Sequence, residues 1–377
     1  MSLFRGDGGG GMSLFLFLFS ALAVSFFAGV ILLRIQKQLG VVARPRGDGT
    51  AVQSSHVGNP LRMGGAAVVA GLAFVPALQM MNGDESVAPL LLLSVLPVFI
   101  AGLAEDLGHH VSPRGRFLAA IFSAVAAVAL LGVWVPRGDN PGIDRAMAMP
   151  AIAITLTVIF SAGFCHAVNL IDGMNGLAAS VITTAALGCA MIAFLASQPA
   201  VTVMALLLAA ATTGFLFLNW PVARLFLGDA GAYGLGHLLV WSMILLTSLS
   251  SEVAVPALML VIFWPLADVV HTVLRRLATR TSILKPDRMH LHQKVRRTLD
   301  ILWFGFRGRY RSNPLTTLML LPFIIAPVVM GVLLWNNPGG AWIALGACML
   351  AFSAAHPLIT RLACRVSKRA SYTRATH

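Results

Sequence analysis

The stretch VAPLLLLSVLPVFIAGLAED, residues 87–106, decides the fold of this chain. Its first 18 residues, 87–104, carry no charged side chain, and two adjacent carboxylates, Glu105 and Asp106, follow directly. An apolar helix of about 18 residues is long enough to cross the roughly 30 Å hydrocarbon core of a bilayer. The stretch therefore predicts a membrane-spanning helix that ends in two acidic residues. Acidic residues at such a position are expected to have an interaction partner or a functional role.

The rest of the chain shares this apolar character. Of its 377 residues, 58% are hydrophobic and 11% are charged, whereas soluble domains carry about 25% charged residues. Apolar blocks recur along the chain without the polar face that a surface helix of a soluble enzyme needs. We therefore expect an all-α polytopic membrane protein. The four cysteines form no CxxC spacing, so the sequence indicates neither a zinc site nor a disulfide framework.

Hydrophobicity predicts about eleven transmembrane helices in a single integral-membrane domain, residues 12–361. A flexible extension, residues 1–11, precedes this domain, and a basic tail, residues 362–377, follows it. The tetrapeptide MSLF occurs at both Met1 and Met12, so the sequence leaves both methionines open as the start. The predicted spans are residues 12–33, 64–81, 87–104, 117–136, 146–168, 177–196, 200–218, 232–249, 253–273, 314–335 and 340–361.

The distribution of basic residues predicts the orientation of these spans. The formal net charge is +13, and 24 of the 27 lysines and arginines fall on loops after odd-numbered spans or in the C-terminal tail. Positive residues mark the cytoplasmic side of a membrane. We therefore expect a periplasmic N-terminus and a cytoplasmic C-terminus in a bacterial inner membrane. The charge thus has a topological explanation, and we expect no nucleic-acid partner.

Three carboxylates stand at the predicted cytoplasmic ends of apolar spans: Asp106, Asp172 and Asp229. A charge at such a position is costly unless it has a partner. Each one alone is equally typical of a solvated helix end. Three of them on loops of the same face favour a shared site, and clustered carboxylates suit a hard divalent cation such as Mg²⁺.

Two glycine-rich turns and one basic loop lie on the same face. The turns are NLIDGMNGLA, residues 169–178, and FLGDAGAYGLG, residues 226–236. Glycines permit tight turns, and the backbone N–H groups of a helix start favour phosphate, although glycines also pack membrane helices. The loop carries Arg288, His290 and His292, which suggest phosphate binding, while its other cations fit an ordinary cytoplasmic loop.

Asp268 lies inside the ninth predicted span. An ionisable residue within a span is a candidate functional group. Pairing with Arg275 or Arg276 near the end of the same span explains it equally well, and the sequence leaves both interpretations open.

Five motifs resemble those of the polyprenyl-phosphate N-acetylhexosamine-1-phosphate transferases, glycosyltransferase family 4. This family includes the bacterial enzymes that start O-antigen and teichoic acid synthesis, among them undecaprenyl-phosphate GlcNAc-1-phosphate transferases, and the phospho-muramoyl-pentapeptide translocase. The resemblance covers residues 55–300 and follows the family's order. The motifs are HVGNPLRMGG, GLAEDL, NLIDGMNGLA, NWPVARLFLGDAG and PDRMHLHQ.

The resemblance implies a reaction, a cofactor and a set of site residues. A UDP-N-acetylhexosamine gives its sugar-1-phosphate to the membrane lipid undecaprenyl phosphate, yielding a diphosphate-linked lipid and UMP. Mg²⁺ is the implied cofactor, with Mn²⁺ as a substitute, and a homodimer is one option for assembly. The implied catalytic residues are Asp106, Glu105, Asp172, His290 and His292. The implied metal ligands are Asp229 and Asp172, and the implied substrate-binding residues are Asn169, Asn219, Phe226, Arg288 and Arg62.

Three positions depart from the family pattern. Glu105 stands in place of the first aspartate of an Asp-Asp pair, Asn175 replaces a second aspartate, and Gln293 replaces a last histidine. These departures raise the alternative of a catalytically lapsed relative that acts as a scaffold. A transporter is the other alternative. Transporters typically have polar residues deep in several spans and internal repeats, whereas the charges of this sequence cluster at one surface and no clear repeat is present. An active transferase in lipopolysaccharide or O-antigen biosynthesis is the favoured interpretation.

Overall fold

The computed structural model describes residues 9–39, 61–81, 87–281, 289–304 and 308–375. Within these ranges the chain is helical, apart from one isolated β-bridge between Leu61 and Leu225. A π-helical turn, Asp300–Phe304, follows α13. The helices are α1 (Gly9–Leu39), α2 (Gly64–Met81), α3 (Ala88–Ser94), α4 (Leu96–Asp106), α5 (Pro113–Leu131), α6 (Pro141–Met147), α7 (Pro150–Ile171), α8 (Leu177–Leu195), α9 (Pro199–Asn219), α10 (Gly228–Leu249), α11 (Val255–Val261), α12 (Phe263–Ala278), α13 (Leu291–Leu299), α14 (Arg309–Leu333) and α15 (Pro338–Ala375).

These elements make the chain a multi-pass helical membrane protein. Each of the eleven predicted segments coincides with a helix or a helix pair. Among the described residues, eight helices are long and apolar enough to cross a membrane, and ten spans result if each of two bent pairs is counted as one. The described apolar part of α2, Gly64–Val75, is shorter than a span. Eleven spans and the orientation of the termini therefore stay predictions, and most of the predicted extension, residues 1–8, lies outside the described part of the chain.

Prolines break two of the predicted spans. The axes of α3 and α4 differ by 48°, and those of α11 and α12 by 89°. Pro97 and Pro265 stand near the start of the second helix of each pair. A proline lacks the N–H for the helical hydrogen bond, and its ring clashes with the carbonyl four residues earlier. The helix therefore bends at that point, and the ninth predicted span, residues 253–273, is a helix pair with a sharp bend.

Helix α10 forms the centre of the bundle. In its most apolar 18-residue stretch 83% of the residues are buried, against 17% in the corresponding stretch of α1. Small residues let two other helices approach its first turn closely. A Cβ on Gly65 of α2 would lie 2.3 Å from the backbone of Gly231, and a Cβ on Gly102 of α4 would lie 2.6 Å from Ala230. This contact brings the C-terminal acids of α4 to the N-terminus of α10.

An arginine ties together the loops at the opposite end of α10. Arg137 donates to the carboxylate of Asp139 at 2.7 Å and to the carbonyl oxygens of Ser251 and Val253 at 2.8 and 2.7 Å. Asp139 in turn accepts the backbone N–H of Val255 at 2.7 Å. These bonds satisfy backbone groups in the connection between α10 and α11, so this end of the molecule is structurally anchored.

Candidate active site

The carboxylate of Asp106 caps the N-terminus of α10. Its Oδ1 accepts the backbone N–H of Asp229 at 3.0 Å, and its Oδ2 accepts that of Ala230 at 2.9 Å. The first N–H groups of a helix lack partners within the helix, and the positive end of the helix dipole favours a negative charge there. The acid at the end of one span thus stabilises the start of another.

Asp172 occupies the neighbouring N–H group, that of Gly228. Gly228 adopts a φ of +77°, and a Cβ at this position would lie 2.5 Å from Oδ2 of Asp106. Only glycine fits such a backbone with such neighbours. The phosphate site predicted at this helix start is therefore filled by the chain's own carboxylates at residues 228–230.

Asp229 lies in the first turn of α10, is 4% exposed and is held from two sides. Its Oδ2 forms an ion pair with Nη1 of Arg116, which comes from the first turn of α5. Its Oδ1 accepts a hydrogen bond from Nδ2 of Asn169 at 3.1 Å. Glu105 is also within electrostatic range of Arg116. A buried carboxylate that is paired and hydrogen-bonded stays fixed in one position.

Three carboxylates, those of Asp106, Asp172 and Asp229, lie close together at this helix start, and the nearby arginines only partly offset their mutual repulsion. Burial raises the pKa of Asp172 well above its usual range, and the nearby carboxylates of Asp229 and Asp106 raise it further, while Arg62 opposes them. An added cation would favour the ionised form of all three acids. The oxygen-only donor set therefore fits a hard divalent ion. Among the described residues, no group of three or more His, Cys, Asp or Glu side chains is placed to hold a metal ion, so substrate oxygens would have to supply much of the coordination.

A cleft of about 450 Å³ adjoins the turn between α7 and α8. Phe226 and Asn175 line it, together with Trp220 and, from the start of α14, Arg311. Asn219 is not among the residues that line this cleft. It is 2% exposed, and its side-chain amide is bonded to backbone groups. Oδ1 accepts the N–H of Gly176 at 2.6 Å, and Nδ2 donates to the carbonyl of Leu225 at 2.7 Å.

His290 and His292 belong to a different group of side chains. Nδ1 of His290 lies 2.6 Å from Oδ2 of Asp268, and both side chains are almost fully buried. The ring of His292 stacks on that of His290 with centroids 5.6 Å apart. Burial lowers the pKa of His292 to about 4, so this imidazole is neutral near pH 7. Asp268 therefore pairs with His290, a partner that neither of the two interpretations left open by the sequence had named.

Comparison with known proteins gives a family match for the central part of the chain. A family model for Glycosyl transferase family 4 matches residues 88–247. The matched range contains the three clustered carboxylates and Asn169, and it ends before His290 and His292.

Three curated relatives of this chain are named for polyprenyl-phosphate substrates. A probable undecaprenyl-phosphate N-acetylglucosaminyl 1-phosphate transferase of Bacillus subtilis is 27% identical, over 70% of this chain and 72% of the relative. The decaprenyl-phosphate N-acetylglucosaminephosphotransferase of Mycobacterium tuberculosis is 27% identical, over 83% and 86%. The undecaprenyl-phosphate alpha-N-acetylglucosaminyl 1-phosphate transferase of Escherichia coli K12 is 26% identical, over 85% and 83%.

The structure brings part of the predicted site together. Asp106, Asp172 and Asp229 meet at the start of α10, with Asn169 bonded to Asp229 and Arg62 within electrostatic range. Within the described part of the chain, His292 has its electrostatic partners in Asp268, His290 and Arg296 and none among the three carboxylates. Arg288 lies outside the described residues.

Sequence reasoning missed Arg116 as a partner of Asp229. It counted this arginine only as one of the cytoplasmic cations. The available signal was its place in the first turn of a span, ten residues after Asp106 in a loop that already carries two acids.

Proposed function

We propose that this protein transfers N-acetylhexosamine-1-phosphate from a UDP-N-acetylhexosamine to undecaprenyl phosphate. A phosphate oxygen of the lipid forms a bond to the sugar-bearing phosphorus, and the bond from that phosphorus to the oxygen of UMP breaks. UMP leaves with the electron pair, and the product is a diphosphate-linked lipid. The reaction would be the first membrane step of a cell-surface polysaccharide such as O-antigen. The observation that carries the proposal is the convergence of Asp106, Asp172 and Asp229 at the start of α10.

The positions of Arg62 and Arg116 support phosphate chemistry at this cluster. Phosphoryl transfer depends mainly on positioning and on neutralising the charge of the phosphate oxygens. Two guanidinium groups stand within electrostatic range of the carboxylates. In this proposal Arg62 contacts a phosphate of the substrate. Arg116 holds Asp229 in place through their ion pair, and it also contacts a phosphate when the substrate is bound.

The carboxylates would hold Mg²⁺, for which Mn²⁺ is the expected substitute. When bound, the ion would neutralise the diphosphate oxygens and polarise the phosphorus under attack. Asp229 and Asp172 are the proposed ligands, with Asn169 orienting Asp229 through their 3.1 Å hydrogen bond. Asp106 holds the helix start that carries Asp229. Mg²⁺ usually binds through one or two carboxylates and substrate phosphates, which agrees with a cluster that is not a complete cage.

The donor nucleotide would enter the cleft beside this cluster. Phe226 offers an aromatic wall and Asn175 an amide, which suit the stacking and hydrogen bonding of a uracil ring. Asn219 shapes the cleft by fixing backbone of both loops. The lipid phosphate would approach from the headgroup layer, with the active site facing the cytoplasm of a bacterial inner membrane.

A membrane assay tests the proposed activity. Membranes containing the protein are incubated with undecaprenyl phosphate, Mg²⁺ and a panel of UDP-sugars that includes UDP-GlcNAc and UDP-muramoyl-pentapeptide. Formation of labelled lipid and release of UMP in equal amounts supports the proposal and identifies the sugar. If no member of the panel gives lipid product above membranes carrying Asp229→Asn, the proposal is wrong and the scaffold alternative gains support.

A further inference from the structure

The first turns of α14 hold the turn between α7 and α8 by two backbone contacts at a single residue. Oδ1 of Asn313 accepts the backbone N–H of Asn175 at 2.8 Å. Oγ1 of Thr317 donates to the backbone carbonyl of Asn175 at 2.7 Å. Asn313 and Thr317 are each 3% exposed. Two side chains one helical turn apart thus satisfy both backbone groups of residue 175, much as a neighbouring strand would.

The loop between α9 and α10 holds the same turn from the opposite side. Nδ2 of Asn175 donates to the carbonyl of Pro221 at 2.8 Å. The N–H of Gly176 donates to Oδ1 of Asn219 at 2.6 Å. The turn is therefore fixed between a helix and a loop by four hydrogen bonds, most of them buried. Such bonds are costly to break, because their groups would be left without partners.

The two loops joined in this way carry two of the clustered carboxylates. Asp172 precedes Asn175 by three residues, and Asp229 follows the loop that contains Asn219 and Pro221. The carboxylate of Asp172 also reaches the N–H of Gly228 at the start of α10. Moving residue 175 would therefore change the distance between Asp172 and Asp229.

We propose that Asn313 and Thr317 are positioning residues for the transfer reaction, acting through the backbone of Asn175 on the geometry of Asp172. This inference rests on the proposed function. Neither residue touches the carboxylates, and each acts through another group. A displacement of about 1 Å at a reacting centre can cost about a hundredfold in rate, so the hydrogen bonds that hold this turn bear directly on turnover. Asn313 and Asn175 also line the nucleotide cleft, whereas Thr317 does not line it.

Two pairs of variants test the inference. Thr317→Val keeps the shape of the side chain and removes the donor, whereas Thr317→Ser keeps the hydroxyl. Asn313→Leu removes the acceptor, whereas Asn313→Asp keeps an oxygen toward the N–H of residue 175. We expect Thr317→Val and Asn313→Leu each to lower kcat by about tenfold, the effect of about one lost hydrogen bond. In Thr317→Val the KM for the UDP-sugar should change by less than about threefold, and Thr317→Ser should restore most of the rate. Asn313 lines the nucleotide cleft, so the KM comparison is made on the Thr317 pair.

The readout is kcat and KM per folded protein, with thermal unfolding of each purified variant in detergent measured in parallel. If Thr317→Val and Asn313→Leu keep the wild-type kcat, or if Thr317→Ser loses as much kcat as Thr317→Val, the inference is wrong. A lower melting temperature with unchanged kcat likewise overturns it, because it shows a purely structural role. If Asn313→Leu does not fold, the Thr317 pair decides alone. An inactive wild-type protein would instead refute the proposed function, so the two failures are distinguishable.

Discussion

The carboxylate of Asp106 is hydrogen-bonded to the backbone of Asp229 and not to its side chain, because Oδ1 of Asp106 accepts the N–H of Asp229 at 3.0 Å. The side chain of Asp229 is thereby free to meet Arg116 and Asn169. Asp106 caps the N-terminus of α10, and Asp229 is part of the first turn of that helix. The two residues should therefore respond differently to substitution, Asp229 through the loss of charge and Asp106 through the loss of the cap as well.

Asp229→Asn should abolish turnover while the protein still inserts and folds. The amide keeps the volume and an acceptor for Asn169 but loses the charge that would bind Mg²⁺ and the ion pair with Arg116. Raising Mg²⁺ should restore little activity. The measurement is UMP release by variants matched for membrane expression. The control is Glu252→Gln, an exposed acid beyond the other end of α10, which should keep the wild-type rate. Near-normal turnover of Asp229→Asn would refute its role as a ligand.

Asp106→Asn should lower the catalytic rate by at least about a hundredfold, because a shifted helix start displaces Asp229, and should also destabilise the protein. An asparagine keeps only one acceptor oxygen for the two N–H groups at the start of α10, and loss of a helix cap costs about 1 kcal/mol. Glu105→Gln should lower the rate less, and Glu105→Asp should be tolerated. The measurement combines saturating rates with melting in detergent. Equal rate losses at the two positions would contradict the asymmetry.

Gly228→Ala should remove activity and lower the melting temperature. A Cβ at this φ of +77° would lie 2.4 Å from the carbonyl oxygen of Arg62 and 2.5 Å from the carboxylate of Asp106, so the helix start would have to move. The matched control is Gly163→Ala in α7, where a Cβ meets no atom within 4 Å. That substitution should keep activity and leave stability equal or higher. Wild-type activity in Gly228→Ala would show that the close contact is not needed.

Particular residues show which features of the fold the sequence reveals. Apolar runs predicted eleven spans, and a helix or a helix pair lies at each of these segments. Pro265 is the residue from which the elbow between α11 and α12 could have been predicted. The meeting of the three carboxylates followed from their common predicted face. An apolar run or a proline predicts the structure of its own segment and does not predict which other segment it packs against.

Pairings between distant helices were beyond the sequence. Arg116 meets Asp229 across 113 residues, and Asn313 meets Asn175 across 138. Such contacts depend on which helices pack together, and no period or local motif encodes that. The pairing of Asp268 with His290 lay beyond the sequence for the same reason, because the two residues are 22 positions apart and meet only in the folded chain.

The orientation of the protein in the membrane is open to a direct test. The split of basic residues predicts that a reporter fused after residue 377 lies in the cytoplasm and that one placed in the 137–145 loop lies in the periplasm. Paired phosphatase and fluorescent-protein fusions measure the two compartments, since each reporter is active on only one side. Both reporters on the same side would refute the eleven-span arrangement.

Asn175→Asp should lower activity, although the resemblance places an aspartate at this position. Nδ2 of Asn175 donates to the carbonyl of Pro221 at 2.8 Å, and the residue is 8% exposed. An ionised aspartate has no donor and would set a carboxylate oxygen against that carbonyl. A buried acceptor left unpaired costs about 1–3 kcal/mol, so we expect kcat/KM to fall about tenfold or more.

The control for this change is Asn140→Asp at the start of α6, where the side chain accepts the N–H of Gly142 at 3.0 Å. A carboxylate keeps that bond, so rate and stability should not change. Steady-state kinetics with the accepted UDP-sugar, on variants of equal expression, decide the comparison. If Asn175→Asp matched or exceeded the wild-type rate, an acid would be accommodated at position 175. The residue would then take part in the chemistry, and its hydrogen bond to Pro221 would not be what fixes the turn.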